Sequence, residues 1–384
     1  MSDSNFIVSA RKYRPAKFDD VVGQGHITNT LKNAIKNNHL AHSFLFCGPR
    51  GVGKTTCARI LAKTINCESP TPDMEACDVC PSCLSFNSNS SFNISELDAA
   101  SNNSVDDIRS LIEQVRFAPQ SGKYKIYIID EVHMLSPNAF NAFLKTLEEP
   151  PHYAIFILAT TEKHKIIPTI LSRCQIFDFR RIPIESIVSH LSSICVTESI
   201  TADNNGLHII AQKSDGGLRD ALSMFDRLIS YSGNNLTYND VLQNLNVLDF
   251  DYFFRITDCL LGQDISGTLT TFDTILRSGF EGDDFMMGLG EHMRNLLVCK
   301  DPRSVKLLEV NGDLKEKYAM QSEMTPMYFL LNALRIINDC DISYKAAKNK
   351  RLTVELALTK MCYIKDAVAL ASSPGPANSE AKKK

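Results

Sequence analysis

Short apolar runs punctuate the first half of the chain. "SFLFC" (43–47), "NISEL" (93–97), "KIYIID" (125–130), "AIFILAT" (154–160) and "QIFDF" (175–179) are each rich in Ile, Phe or Tyr, with long polar or amphipathic stretches between them. Five such runs joined by helical segments predict an α/β domain, a parallel five-stranded sheet covered by helices. After Pro183 the strand signal stops. Residues 184–240 read as short helices with a break at Gly216-Gly217, and from about 243 to 368 a 3.6-residue period dominates, as in "FFRITDCLL" and "MGLGEHMRNLLV". The expected organisation is an α/β domain over 1–182, a small helical domain over 183–242, an all-α domain over 243–368 and a flexible Pro/Gly/Ser-rich tail over 369–384.

The loop after the first apolar run carries the first chemistry. "GPRGVGKT" (48–55) fits G-x-x-x-x-G-K-[ST] and is followed by "KTTCARILAKTI", which puts Cys57, Ile60, Leu61 and Ile65 on one helical face. Strand, glycine loop and helix are the context of a phosphate-binding loop: Gly48, Gly51 and Gly53 let the backbone amides of the Gly48–Thr56 segment, Val52 included, curl round an anion at a helix N-terminus. Lys54 is expected on the β and γ phosphates and Thr55 on Mg²⁺. The run "IYIIDEVHML" (126–135) is a hydrophobic strand that ends in two carboxylates. Asp130 is expected in the Mg²⁺ shell and Glu131 as the base that orients and deprotonates a water. "ILATT" ends a third strand in Thr160 and Thr161, either of which is placed to touch a γ-phosphate or the water, or simply caps the strand. Arg173 in "LSRCQ" and Arg219 in "GGLRDALSM" are candidates to neutralise charge that grows during phosphoryl transfer.

Cysteine usage adds a second site. Cys67, Cys77, Cys80 and Cys83 fall within "CESPTPDMEACDVCPSC", and the last three form C-x-x-C-x-x-C. The N-terminus has no signal-peptide run and no stretch reaches the length of a membrane span, so a cytoplasmic protein with no membrane partner is expected. Thiols stay reduced there, and the cluster reads as metal ligands rather than disulfides. Four thiolates on tight turns suit tetrahedral Zn²⁺, with an iron–sulfur cluster as the rival. Four cysteines close the coordination shell, so the module is expected to be structural or to present a contact surface. Chelation is expected to weaken it and to spare nucleotide binding. The remaining cysteines, such as Cys259 and Cys340, read as buried small hydrophobes. Net charge is −3, so any nucleic-acid contact must use local patches. One such candidate is "SNNSVDDIRS" (101–110), a helix start with Ser104 as N-cap and Asp107 three residues on, which either receives a backbone phosphate or is simply capped.

Taken together, "RKYRPAKFDDVVGQ" (11–24), "FCGPRGVGKTT" (46–56), the cysteine cluster, "LDAASN" (97–102), "IIDEVHMLS" (128–136), "FNAFLKTLEEPP" (140–151), "FILATTEKHKIIPTILSRC" (156–174) and "LRDALS" (218–223) resemble the AAA+ clamp-loader ATPases, more narrowly the gamma/tau family of bacterial DNA polymerase III. The resemblance runs unbroken over roughly residues 8–225. It implies an AAA+ P-loop NTPase with an inserted zinc module, a helical lid and an all-α collar. It further implies that Tyr13, Arg14, Pro15 and Val21 line the adenine of ATP, that Arg173 is an arginine finger acting in trans on a neighbour's ATP, and that Arg219 is a lid sensor acting in cis. The implied partners are the delta and delta-prime subunits, other copies of the chain, the sliding clamp and primed DNA. Three rival readings share parts of this pattern: an AAA+ DNA motor of the branch-migration or helicase type, a nucleotide-binding scaffold, and a zinc-dependent nucleic-acid-binding module with a vestigial NTPase. The motor does not predict the cysteine cluster, and the scaffold does not require Gly53, Lys54 and Thr55.

Overall fold

The computed structural model describes residues 8–119, 122–308, 310 and 312–372. The chain divides into two compact units, Met1–Leu236 and Thr237–Lys384.

In the first unit, β1 (Ser43–Cys47), β2 (Ile94–Asp98), β3 (Lys125–Asp130), β4 (Ala154–Thr160) and β5 (Gln175–Asp178) form one parallel sheet in the order β2-β3-β4-β1-β5. The sequence explains which strands sit centrally. Every residue of β1 and β4 is buried, whereas the edge strands retain exposure, at Ser95, Glu96, Leu97 and Asp98 of β2 and at Gln175, Ile176 and Asp178 of β5. Successive side chains feed two cores, one on each face. Phe44, Phe46, Ile126, Ile128, Ile155 and Ile157 pack with Cys57, Ile60 and Leu61 of helix Lys54–Ile65 and with Ile27 and Leu31 of helix Gly25–Lys36. Leu45, Tyr127, Ile129, Phe156 and Leu158 pack with Ile108 and Leu111 of helix Val105–Val115 and with Phe140, Phe143 and Leu147 of helix Pro137–Glu148. The two anticipated edge runs shift slightly, from 93–97 to Ile94–Asp98 and from 175–179 to Gln175–Asp178.

Between β1 and β2 the chain makes the cysteine loop and the short helix Pro81–Asn87. After β5 come helices Ile184–Glu198, Asn204–Lys213 and Leu218–Ser232, closed by a two-stranded parallel pairing of Thr201–Ala202 with Asn235–Leu236. The expected break holds: Gly216 has φ +76°, and a Cβ there would lie 2.6 Å from Arg181 Cβ.

The second unit is helical among its described residues, from Tyr238–Asn244 to Ile364–Ser372, around a core that includes Phe272, Phe285, Met293, Leu330 and Leu358. The helix Tyr238–Asn244 straddles the anticipated boundary at 242/243, and helix Ile364–Ser372 runs into the stretch read as tail. The rest of that tail, 373–384, lies outside the described residues. No helix among the described residues is long and apolar enough to cross a membrane.

Candidate active site

Parallel strands aim their carboxyl ends the same way, and ligands of such sheets bind just beyond those ends. Here Cys47 pairs with Thr160, and Asp98 with Asp130, so the glycine loop, the acidic pair and the threonine pair arrive at one edge. The loop is folded by its glycines. Gly48, Gly51 and Gly53 have φ of +150°, +76° and +103°, and a Cβ on Gly48 would lie 2.5 Å from the Phe179 carbonyl oxygen. Gly53 is the N-cap of helix Lys54–Ile65 and offers no side chain to its first amides. Those amides and the positive end of the helix are left for an anion.

Lys54 is 6% exposed, and its Nζ donates to the carbonyl oxygens of Gly48 (2.8 Å) and Pro49 (2.7 Å), inside the curl of the loop. Burial lowers its pKa, opposed by the charges of Glu131 and Asp130. Thr55 Oγ1 donates to Asp130 Oδ2 at 2.6 Å, which puts a hydroxyl and a carboxylate side by side as hard oxygen ligands for a magnesium ion. Asp130 Oδ1 accepts the Glu131 N–H at 2.9 Å. Glu131 is left-handed, with φ +47°, and its Oε2 accepts from Thr161 N (3.2 Å) and Thr161 Oγ1 (3.0 Å).

These groups line a cleft of about 530 Å³ within the first unit, whose wall includes Tyr13, Arg14, Pro15, Val21, Gly51, Val52, Gly53, Thr56 and Arg219. Five cationic side chains face it (Arg11, Arg14, Arg50, Lys54 and Arg219) against two carboxylates, Asp130 and Glu131. That balance favours a polyanion. Burial lowers the pKa of Arg14, and the charges of Arg59 and Arg219 push the same way, so an anion in the cleft relieves a cost already present. Arg14 Nε donates to Thr56 Oγ1 at 3.3 Å. Arg219 N donates to the Gly51 carbonyl oxygen at 3.3 Å, which joins helix Leu218–Ser232 to the glycine loop. On the other side, Ser9 N donates to Asp226 Oδ2 at 2.7 Å, and Lys12 and Tyr13 both bond the Glu198 carboxylate.

Not every anticipated residue is in the cleft wall. Thr160 and Thr161 stand behind it, Thr161 on Glu131 and Thr160 at 3.1 Å from His133 Nδ1. Arg173 is elsewhere, with Nη2 on Glu148 Oε1 (2.8 Å) and Nη1 on the Thr169 carbonyl oxygen (2.8 Å). Sequence reasoning missed His133, whose Nδ1 is 3.3 Å from Glu131 Oε2 and whose Nε2 is 3.5 Å from Glu162 Oε1. Its only sequence signal is a polar residue close behind an acidic pair. At Ser104 the capping box forms, with Asp107 N on Ser104 Oγ (3.2 Å) and Ser104 N on Asp107 Oδ2 (3.2 Å), while Asp106 and Asp107 place negative charge in the first turn. A phosphate gains little at such an end.

Comparison with known proteins decides the family. The chain is 35% identical over 370 residues to DNA polymerase III subunit gamma of Buchnera aphidicola subsp. Baizongia pistaciae, covering 93% of this chain and 97% of that one. It belongs to the gamma/tau family of DNA polymerase III. Residues 23–183 match the family described as DNA polymerase III, delta subunit, and residues 186–234 match the ATPase lid domain of the DNA polymerase III clamp loader subunit. DNA polymerase III subunit tau of Bacillus subtilis is 42% identical over 92% of this chain, and the Mycobacterium bovis gamma/tau subunit 39% identical over 91%. The chain spans 62% of the length of each of those two relatives. The sheet, lid helices and cysteine insertion are thus those of a gamma/tau AAA+ fold.

The insertion holds a four-cysteine metal-binding cluster. The sulfurs of Cys67, Cys77, Cys80 and Cys83 all lie within 4.8 Å of one another. Cys77 N donates to Cys67 Sγ and Cys80 N to Cys77 Sγ, both at 3.3 Å, as amides do around thiolates. Backbone amides of Val79 and Cys80 pull the Cys77 thiol down to about 6, while burial pushes Cys67 and Cys83 up. The other cysteines are buried or half-buried, and burial lifts Cys47 to about 11 and Cys57 and Cys174 to about 12, which suits packing rather than chemistry.

Proposed function

We propose that this chain is the ATP-hydrolysing subunit of a replicative clamp loader, which opens the sliding clamp and loads it on primed DNA. The single observation that carries the chemistry is the juxtaposition of the buried Lys54, the Thr55–Asp130 bond and Glu131 in a cation-rich cleft. In this reading Tyr13, Arg14, Pro15 and Val21 take the base, and the amides of Gly48–Thr56, with Lys54, take the phosphates. Thr55 and Asp130 hold Mg²⁺, which neutralises phosphate charge. Glu131, aimed by Thr161, orients the attacking water and takes its proton. Thr160 steadies His133, which in turn flanks Glu131. Arg219, at the start of a lid helix bonded to the loop, meets the γ-phosphate in cis.

Arg173 stands outside its own chain's cleft, which suits an arginine that completes a neighbouring subunit's site in trans. The active form is then an assembly of copies of this chain with the delta and delta-prime subunits, in the cytoplasm. The organisation proposed is an ATPase domain to residue 182, a lid over 183–242 and a collar beyond. Soft thiolate donors at C-x-x-C-x-x-C spacing favour Zn²⁺ at the cysteine cluster.

The test is steady-state ATPase of the complete loader, with and without clamp and primed junction, together with a mixture of Arg173→Ala and Lys54→Ala proteins. Stimulation by clamp and DNA, and partial recovery in the mixture, are the expected results. A rate that ignores clamp but follows branched DNA would establish a motor instead, and no hydrolysis under any condition a scaffold.

A further inference from the structure

Several contacts fasten the cysteine insertion to the rest of the first unit, among them two carboxylates, and one of these leads to the cleft. Glu75 lies in the loop between Cys67 and Cys77, two residues before the second cysteine. The loop turns on itself there: Thr71 N donates to the Glu75 carbonyl oxygen (2.8 Å) and Glu75 N to Thr71 Oγ1 (3.1 Å). The Glu75 residue is 4% exposed, and its carboxylate is fully engaged. Oε2 accepts from Phe18 N at 3.0 Å, and Oε1 from Asp19 N at 3.3 Å and Lys32 Nζ at 2.8 Å.

Phe18 and Asp19 begin the 3₁₀ turn Phe18–Asp20, whose own N-cap, Lys17, makes no side-chain bond to it. Glu75 supplies that cap from 57 residues away. The turn ends at Val21, whose N–H returns to the Phe18 carbonyl oxygen at 3.2 Å and whose side chain lines the cleft. From Cys77 to the cleft wall the path is therefore one short loop, one buried carboxylate and one turn. The second fastening, Asp78 to Lys63, reaches the last turn of helix Lys54–Ile65, the end away from Lys54.

We propose that Glu75 is a positioning residue that ties the metal cluster to the base side of the nucleotide cleft, so that metal and nucleotide favour one another's binding. A buried carboxylate holds its partners only while its own loop is held. Metal at the four cysteines fixes both ends of the Cys67–Cys77 loop. Without it the loop regains freedom, the 18–20 turn loses its cap and Val21 loses its place. Linkage makes the effect reciprocal. This revises the expectation that chelation spares nucleotide binding, and it rests on the nucleotide and metal readings above.

The experiment measures affinity for a fluorescent ADP in zinc-loaded and chelator-stripped protein, with helical content followed by circular dichroism. Stripping weakens ADP on the order of fivefold to tenfold, the lower end of ordinary allosteric coupling. Glu75→Gln, measured zinc-loaded and therefore independent of whether stripped protein stays folded, shows the weakened affinity already. The inhibition constant of inorganic tripolyphosphate, corrected for the weaker fluorescent ADP, is the same in Glu75→Gln and wild type, because this anion touches only the phosphate side. Zinc release to a colorimetric dye slows when ADP is present in wild type and not in Glu75→Gln. Equal ADP affinity with and without zinc in folded wild type overturns the coupling, as does coupling that survives in Glu75→Gln and vanishes in Asp78→Asn. Failure of zinc-loaded wild type to bind ADP at all overturns the nucleotide reading itself.

Discussion

His133 is the residue whose removal best tests how the acidic pair works. Glu131 holds a left-handed backbone, which costs a non-glycine residue roughly 1–2 kcal/mol, so its carboxylate must be held from several sides. Thr161 holds it twice, at 3.2 and 3.0 Å, and His133 once, at 3.3 Å. The imidazole is 5% exposed and also sits 3.1 Å from the Thr160 hydroxyl and 3.5 Å from Glu162 Oε1, so His133→Ala removes a partner from three groups and water replaces it poorly. The hydrogen bond with Thr160 contributes about 1 kcal/mol net, and the 3.3 Å contact with the Glu131 carboxylate adds up to about as much. Thr161 remains, so the loss in aiming the carboxylate is taken as about 1–2 kcal/mol. At 1.36 kcal/mol per factor of ten, kcat for ATP falls roughly 5- to 30-fold. His133 touches no residue of the cleft wall other than Glu131, so nucleotide affinity stays within about twofold of wild type. The assay is steady-state ATPase of the assembled loader beside a fluorescent-ADP titration of the same protein. An unchanged kcat in a folded variant would refute the reasoning, and so would a parallel loss of affinity, which would mean that His133 supports the loop rather than the carboxylate.

Two further outcomes follow from local geometry. Gly216→Ala places a Cβ 2.6 Å from Arg181 Cβ at a φ of +76°, so a denaturant titration should show the first unit destabilised by about 1–2 kcal/mol or more; an unmoved midpoint would contradict it. In the second unit, burial lowers His292 to about 4, with Nδ1 at 3.1 Å from the Tyr318 hydroxyl and Nε2 at 2.9 Å from Gln321 Oε1. The unfolded chain takes up a proton below its ordinary value near 6.5 while the folded imidazole stays neutral, so stability is full above that value and declines as pH falls toward 4. Between pH 7 and pH 5 the decline from this group is about 2 kcal/mol. His292→Asn should flatten that interval in denaturant midpoints, and an equally steep profile in the variant would show that other groups cause it.

The parallel sheet was legible because its central strands are unbroken apolar runs, and "AIFILAT" and "KIYIID" carry their own burial in their composition. The end of β2 was not, because its last residue, Asp98, is set by pairing with Asp130, a partner no local pattern names. The glycine loop and its turn into helix Lys54–Ile65 were legible because glycine, lysine and threonine spacing reflects backbone geometry. His133, Glu75 and Glu198 were not, since their nearness to a motif, where there is one, does not distinguish a bonded polar side chain from a solvated one. Their meaning lies in contacts that span up to 186 residues. Only the folded arrangement reveals that a carboxylate from the cysteine loop caps a turn at the start of the chain.

The bonds from the N-terminal strip to the lid helices also set an order of events during synthesis. Ser9 waits for Asp226, 217 residues later, and Tyr13 for Glu198. At about 5–20 residues per second, roughly 10–40 s separate the emergence of Ser9 from that of its partner. By the later part of that interval the sheet strands and the glycine loop have left the ribosome, but the first wall of the cleft still has nothing to dock on. A nascent chain therefore gains a complete cleft only once the lid has been made, and truncations that stop before residue 198 leave the N-terminal strip without either anchor.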